Sequence, residues 1–172
     1  SNFPGYLFFR PYIEIEYQYL NIGVAYTLLS TGSRYSIYDY SGEYKFDAQI
    51  TGHTVAAFAE TPIYSFKRLK FLVAVESGVI FNKMKLNERF QLTDTYNQQD
   101  EYGFESINYF LKPYLKAEYG IWKRLSANIV VGYHKDLKAD KMHLEDDDTS
   151  VSEFVADWDG IRTSIGIAYR LD

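Results

Sequence analysis

The sequence predicts an all-β protein, specifically an antiparallel up-and-down transmembrane β-barrel of about eight strands. Three observations predict it. Apolar residues alternate with polar ones at period two along most of the chain, which is the signature of strands with two unlike faces. Aromatic residues make up 18% of the chain, with seventeen Tyr and twelve Phe, a bias that favours strands over helices. Short and long polar connections alternate, as where tight turns lie on one side of a membrane and loops on the other.

The strands follow in order. Ile13, Ile15, Tyr17 and Tyr19 share one face, with Arg10, Glu14, Glu16 and Gln18 on the other. After a parity shift near Leu20–Asn21, Ile22, Val24, Tyr26 and Leu28 oppose Gly23, Ala25 and Thr27. Residues 44–66 set Tyr44, Phe46, Ala48 and Ile50 against Lys45, Asp47, Gln49, Thr51 and His53, which places His53 in the lumen. Phe71, Val73, Val75, Val79 and Phe81 oppose Ala74, Glu76, Gly78 and Asn82. The stretch after Ser106 has Ile107, Tyr109, Leu111, Pro113, Leu115, Ala117, Tyr119 and Ile121 on one face, and Asn108, Phe110, Lys112, Tyr114, Lys116, Glu118 and Gly120 on the other. Two further segments complete the pattern, Leu125–Leu137 and Ile161–Leu171.

Short turns are expected near Leu20–Asn21, at 66–69 and at 122–126, with long polar loops at about 30–43, 87–103 and 138–158. The stretches "RPYIEIEY" (10–17) and "KPYLKAEY" (112–119) match, and each precedes a short turn, so both strands should run the same way. Counting gives seven strands with the first parallel to the last. Single-chain bacterial barrels have even numbers, so an eighth strand is expected before residue 6. Nothing marks a boundary, and residues 1–172 read as one domain.

Alternation does not say which face is inside, because soluble barrels enclose the apolar face and membrane barrels the polar one. Three features favour the membrane arrangement. Small residues (Gly23, Ala25, Ala74, Gly78, Gly120, Gly132, Gly166, Ala168) fall on the polar face, where a crowded interior needs them. Charges on that face nearly balance: Arg10, Lys112, Lys116, Arg162 and Arg170 against Glu14, Glu16, Glu76, Glu118 and Asp136. Buried charges must be paired. Aromatics sit near segment ends, with Tyr17, Tyr19, Phe66, Tyr119, Trp122 and Tyr169 toward the short turns and Trp158 toward the loops, as in interfacial girdles. The expected functional feature is a polar network in the lumen, formed by those ten charged residues and His134.

The closing segment "SIGIAYRL" (164–171) resembles the C-terminal signal by which bacterial outer-membrane barrels are recognised for assembly, and the whole-chain layout is similar to the small OmpA/OmpX-like barrels. The resemblance implies residence in the bacterial outer membrane, contact with membrane lipid or lipopolysaccharide, and delivery by the outer-membrane assembly machinery through residues 164–171. This chain departs from the pattern by ending Leu171–Asp172 rather than on an aromatic residue, and by carrying Pro11, Pro62 and Pro113 within strands. Bulges or strand ends are expected there, since proline cannot donate to a ladder.

Other function classes are disfavoured. The net charge of −5 offers no basic surface for nucleic acid, and with no Cys there is neither disulfide nor thiolate chemistry. The N-terminal "SNFPGYLFF" has no basic n-region or cleavage site, so any signal peptide is expected to have been removed or never present. Of the three histidines, His53, His134 and His143, His134 lies on the lumen face with Asp136 two residues on, and the pair reads as part of the polar network. Ser126, eight residues from His134, lies ~27 Å away along the strand, too far for a nucleophile–base pair. The acidic run Glu145–Asp148 reads as a solvated loop tip. No catalytic residue, metal site or cofactor is expected. The leading function is therefore a non-enzymatic outer-membrane protein with a plugged lumen, suited to structural, adhesive or partner-binding roles through its loops. The alternatives are a soluble lipocalin-like barrel holding an apolar ligand and an outer-membrane lipid-modifying enzyme.

Overall fold

The structure, a computed structural model, describes residues 7–39, 42–92, 96–139, 142–144, 147–151 and 158–169. It holds one antiparallel sheet of ten strands and, among the described residues, no helix. These are β1 (Leu7–Phe9), β2 (Tyr12–Glu16), β3 (Asn21–Asp39), β4 (Gly42–Phe66), β5 (Leu69–Leu92), β6 (Tyr96–Gly120), β7 (Leu125–Ala139), β8 (Met142–Leu144), β9 (Asp147–Val151) and β10 (Gly160–Tyr169). The path β1–β3–β4–β5–β6–β7–β10 gives the seven strands counted from the alternation. β8 and β9 form a small hairpin against β6.

The prolines fall where the ladder allows a missing N–H. β1 and β2 meet β3 in one register, Phe9 opposite Leu28 and Tyr12 opposite Ala25, so they are one strand interrupted at Arg10–Pro11. Pro62 sits at a register shift between β4 and β5. Pro113 pairs with Val75 on β5 but falls in a gap of the β6–β7 register, between Leu111 and Tyr114. Just past that gap Tyr114 pairs with Gly132, where a Cβ would lie 2.6 Å from Tyr114 Cβ and 2.8 Å from Pro113 O.

The sheet is strongly curled. Lys116 on β6 reaches Glu14 on β2 at 3.4 Å although three strands separate them in the sheet, a distance of ~19 Å on a flat surface. The concave side carries Asn21, Ala25, Thr27, Glu60, Glu76 and Lys116, all buried. The convex side carries exposed Ile22, Val24, Phe71, Val73, Leu115 and Tyr119. Among the described residues no ladder joins β10 to β1 or β2, and these two edges run in the same direction. The eighth strand expected before residue 6 falls outside the described residues.

The expected long loops at 30–43 and 87–103 are instead mostly strand, because β3 runs to Asp39, β4 starts at Gly42, β5 runs to Leu92 and β6 starts at Tyr96. The physical reason is an inversion of the two faces. From Phe71 to Phe81 the convex face of β5 is mainly apolar, but beyond it Lys83 and Lys85 point outward and pair with Glu105 and Glu101 of β6. On the concave side of this outer region Met84, Leu86 and Phe104 join Leu29, Ile80, Phe110 and Trp158 in an apolar cluster. Phe46, Ala48 and Ile50 pack on that cluster from β4, whereas Asp47 faces out to Arg34. A sequence scan for one persistent apolar face loses its phase here and reports a loop.

Two expectations change with this inversion. His53 is not lumenal: it shares the outer face with exposed Val55, and its Nδ1 lies 2.6 Å from the hydroxyl of Tyr26. Trp158 is 5% exposed and packs in the interior, so it is not part of an aromatic girdle. Gly160, with φ of 147°, adopts a backbone conformation rarely open to other residues as the chain passes from Trp158 into β10. The other six girdle residues are exposed, Trp122 most of all at 79%.

Candidate functional site

The concave face gathers charged residues from six strands into stacked layers. Nearest the short turns, Glu16 pairs with Lys70 at 3.2 Å in an exposed rim contact. Above it Lys116 is enclosed by three carboxylates, Glu60 at 2.8 Å, Glu14 at 3.4 Å and Glu118 at 3.8 Å. The Tyr114 hydroxyl donates to Glu60 at 2.7 Å and Asn21 Nδ2 donates to Glu14 at 2.8 Å, so these oxygens are further satisfied. The next layer centres on Glu76, which accepts from Arg10 at 2.9 Å and from Lys112 at 3.3 Å. The Arg10 guanidinium also lies over the rings of Tyr12 and Phe58, 5.5 and 5.4 Å from their centroids.

The third layer is built round Asp136. His134 Nε2 lies 3.1 Å from one carboxylate oxygen; Asn108 Nδ2 and the Trp158 backbone N–H donate to the other at 2.9 and 3.0 Å. Because a carboxylate only accepts, Nε2 carries the proton. Phe110 stacks on the His134 ring with centroids 4.5 Å apart. Trp158 Nε1 donates to Asn82 at 2.8 Å, and Arg162 donates to the Trp158 carbonyl at 2.9 Å. This interior tryptophan closes the polar layers off from the apolar cluster above.

Ten of the eleven residues expected in the network are therefore described. Arg10, Glu14, Glu76, Lys112, Lys116, Glu118, His134, Asp136 and Arg162 meet in these layers or beside them; Glu16 belongs to the rim, and Arg170 lies outside the described residues. Of the acidic run expected as a loop tip, residues 145–146 lie outside what is described, whereas Asp147 and Asp148 open β9; the His143 side chain is also outside what is described. Glu60, at the centre of the network, was missed by sequence reasoning. It shares its parity on β4 with Phe46, Ala48 and Ile50, the residues that set the apolar face of that segment. The local run Gly52, Thr54, Ala56, Phe58, Glu60, opposed by Val55, Ala57, Ala59 and Thr61, was the available signal.

Chemically, the arrangement sets Arg10 and Lys112 against Glu76, and Lys116 against Glu60. His134 Nδ1 has no hydrogen-bond partner among the described residues, so no described hydroxyl bonds to it. Among the described residues no group of three or more His, Asp or Glu is placed to hold a metal ion. Comparison with known proteins finds no matching family model, no matching curated protein and no matching solved structure. The OmpA/OmpX-like resemblance rests on residue pattern alone.

Proposed function

We propose that this chain is a small integral protein of the bacterial outer membrane, a β-barrel with a plugged polar lumen and no enzymatic role, whose outer strands and connections serve structural, adhesive or partner-binding ends. The observation that carries this reading is the exchange of faces along the strands. The ten residue steps from Phe71 to Phe81 cover ~34 Å of strand, which at a barrel tilt of ~40° makes a band ~25 Å tall, the apolar height of outer-membrane barrels. Over that band the apolar face is convex and the charged one enclosed; beyond it the polarity reverses, as for a sheet that leaves hydrocarbon and enters water. A soluble lipocalin-like barrel requires the opposite arrangement over the band, with the apolar face enclosed. Exposed Tyr17, Tyr19, Phe66, Tyr119 and Trp122 near the short turns fit an interfacial girdle. Lipid or lipopolysaccharide would cover the band, and residues 164–171 would engage the assembly machinery.

Lipid-quenchable fluorophores at positions 115 and 116 test the reading in reconstituted vesicles. The label at 115 should be quenched and that at 116 shielded. Reversed quenching, or a folded monodisperse protein in plain buffer, would overturn it. Planar-bilayer recordings should show no large stable conductance.

A further inference from the structure

Past the apolar band, β3 to β6 continue as four long strands whose two sides differ sharply in charge. On the convex side Arg34, Lys45, Lys83 and Lys85 pair with Asp47, Glu43, Glu105 and Glu101, and Arg89 shares the parity of Lys83 and Lys85 on β5. The concave side of this outer region carries neither lysine nor arginine among the described residues. It carries aromatic side chains that stay open above the buried apolar cluster. Tyr35 pairs across the ladder with Phe46, Ile37 with Tyr44, and Tyr44 with Phe90, and directly paired residues share a face. Tyr102 faces the same way from β6, opposite Leu86. Tyr35 is 55% exposed and Tyr102 43%, and Ile37 and Phe90 are exposed too. From the Leu86 level to the Phe90 level, and from β3 across to β6, the patch measures ~14 Å each way.

Two carboxylates stand in the middle of it. Glu88 and Asp100 are direct cross-strand partners on β5 and β6, a position in which like charges destabilise a sheet. The Tyr44 hydroxyl bonds to Glu88, and Asp100 accepts from Gln98 Nε2 at 2.9 Å. Both donors are neutral. Neither carboxylate has an ion pair among the described residues, because the cations alongside point to the other face. The pair also lacks the third ligand that a metal centre would need. A neutral sugar would stack on the rings but leave the two charges opposed. An arginine or lysine side chain meets both features, with a charge for the carboxylates and an apolar stem for the rings, over whose faces cations are attracted. The net charge of −5 draws basic partners by long-range attraction as well.

We propose that the concave face of this outer sheet docks a basic segment of a partner protein, with an arginine or lysine side chain between Glu88 and Asp100 and its stem along Phe90 and Tyr102. The inference rests on the partner-binding part of the function proposed above and not on its membrane part. Lipid quenching at position 115 is unaffected by whether this face is occupied, so either reading can fail alone.

The probe is an end-blocked tetra-arginine peptide titrated against the full chain in nonionic detergent micelles, with binding followed by fluorescence anisotropy. Glu88→Gln combined with Asp100→Asn should weaken binding about tenfold, the loss of two partly exposed ion pairs. Phe90→Ala with Tyr102→Ala should weaken it about fivefold at unchanged net charge. Glu101→Gln with Glu105→Gln, which removes the same amount of charge from the convex face, should leave binding within about twofold, since those carboxylates are already paired. A photoreactive benzophenone on the peptide should mark the unmodified protein between Leu86 and Phe90 or between Gln98 and Tyr102, a readout that needs no variant to fold. Equal weakening by the two charge-reduced variants would mean general attraction to an acidic chain and would overturn the proposal. So would cross-links confined to other segments, or tighter binding of a neutral glucose oligosaccharide than of the peptide.

Discussion

Lys116 Nζ lies 2.8 Å from Glu60 Oε2 across 56 residues of sequence, with both side chains at most 4% exposed. Neither charge can relax into water, so each depends on the other. Lys116 is also shared with Glu14 and Glu118, so removing it leaves three carboxylates without their cation, whereas removing Glu60 as well relieves the most deeply buried of them.

Lys116→Met should therefore destabilise the fold by about 3–5 kcal/mol. Adding Glu60→Gln should recover part of that loss, because the most buried charge is removed and the neutral amide oxygen still accepts from Tyr114, while Glu14 and Glu118 keep their charges. A double-mutant cycle from urea unfolding in lipid vesicles measures the coupling, and additive effects would show that the pair is not the stabilising unit.

The neighbouring residue should respond by a different mechanism. Leu115 is 58% exposed on the convex face. Leu115→Arg should cost about 2–4 kcal/mol if the position lies near the middle of a bilayer, whereas a surface position in a water-soluble protein changes by no more than about 0.5 kcal/mol. Unfolding midpoints of the two proteins in the same vesicles decide between these outcomes.

Gly132→Ala should destabilise by about 1–3 kcal/mol through overpacking. The added Cβ would sit 2.6 Å from Tyr114 Cβ and 2.8 Å from Pro113 O, and the strand cannot retreat without losing its pairing to β10 through Arg162. Gly120→Ala, whose nearest neighbour would be 3.7 Å away, is the control and should be close to neutral.

The Asp159 carboxyl, in the segment just before β10, is held below the ordinary carboxylate range, first by its hydrogen bond from Lys135 and next by the Asp136 backbone N–H. A depressed folded-state pKa means that the stabilisation is complete above the unfolded value and is lost as pH falls through the folded one. Trp158 fluorescence should thus hold steady through the normal carboxylate range and change only at more acid pH. Asp159→Asn should abolish the component due to this residue. A change left intact in that variant would point to Asp136, which binds the Trp158 N–H directly.

The alternation by itself determined that the chain is strands, that they number seven, and that turns fall near Leu20, Lys67 and Trp122. Each of these follows from side chains a few residues apart, since a strand's two faces are written at period two. The prolines were legible in the same way, because a residue without an N–H must sit at a break or bulge. What alternation cannot carry is which face the sheet encloses, for the pattern is unchanged if a strand is turned over. Curling decides that, and it requires contacts such as Arg10 with Glu76 and Lys116 with Glu14 that span most of the sheet. The same curl turns His53 outward, brings Trp158 inward, and places Glu60 at the centre of the charge network. These three were misread or missed because the enclosed face changes from polar to apolar partway along each long strand. Only the position of each residue on the curled sheet shows where that change falls.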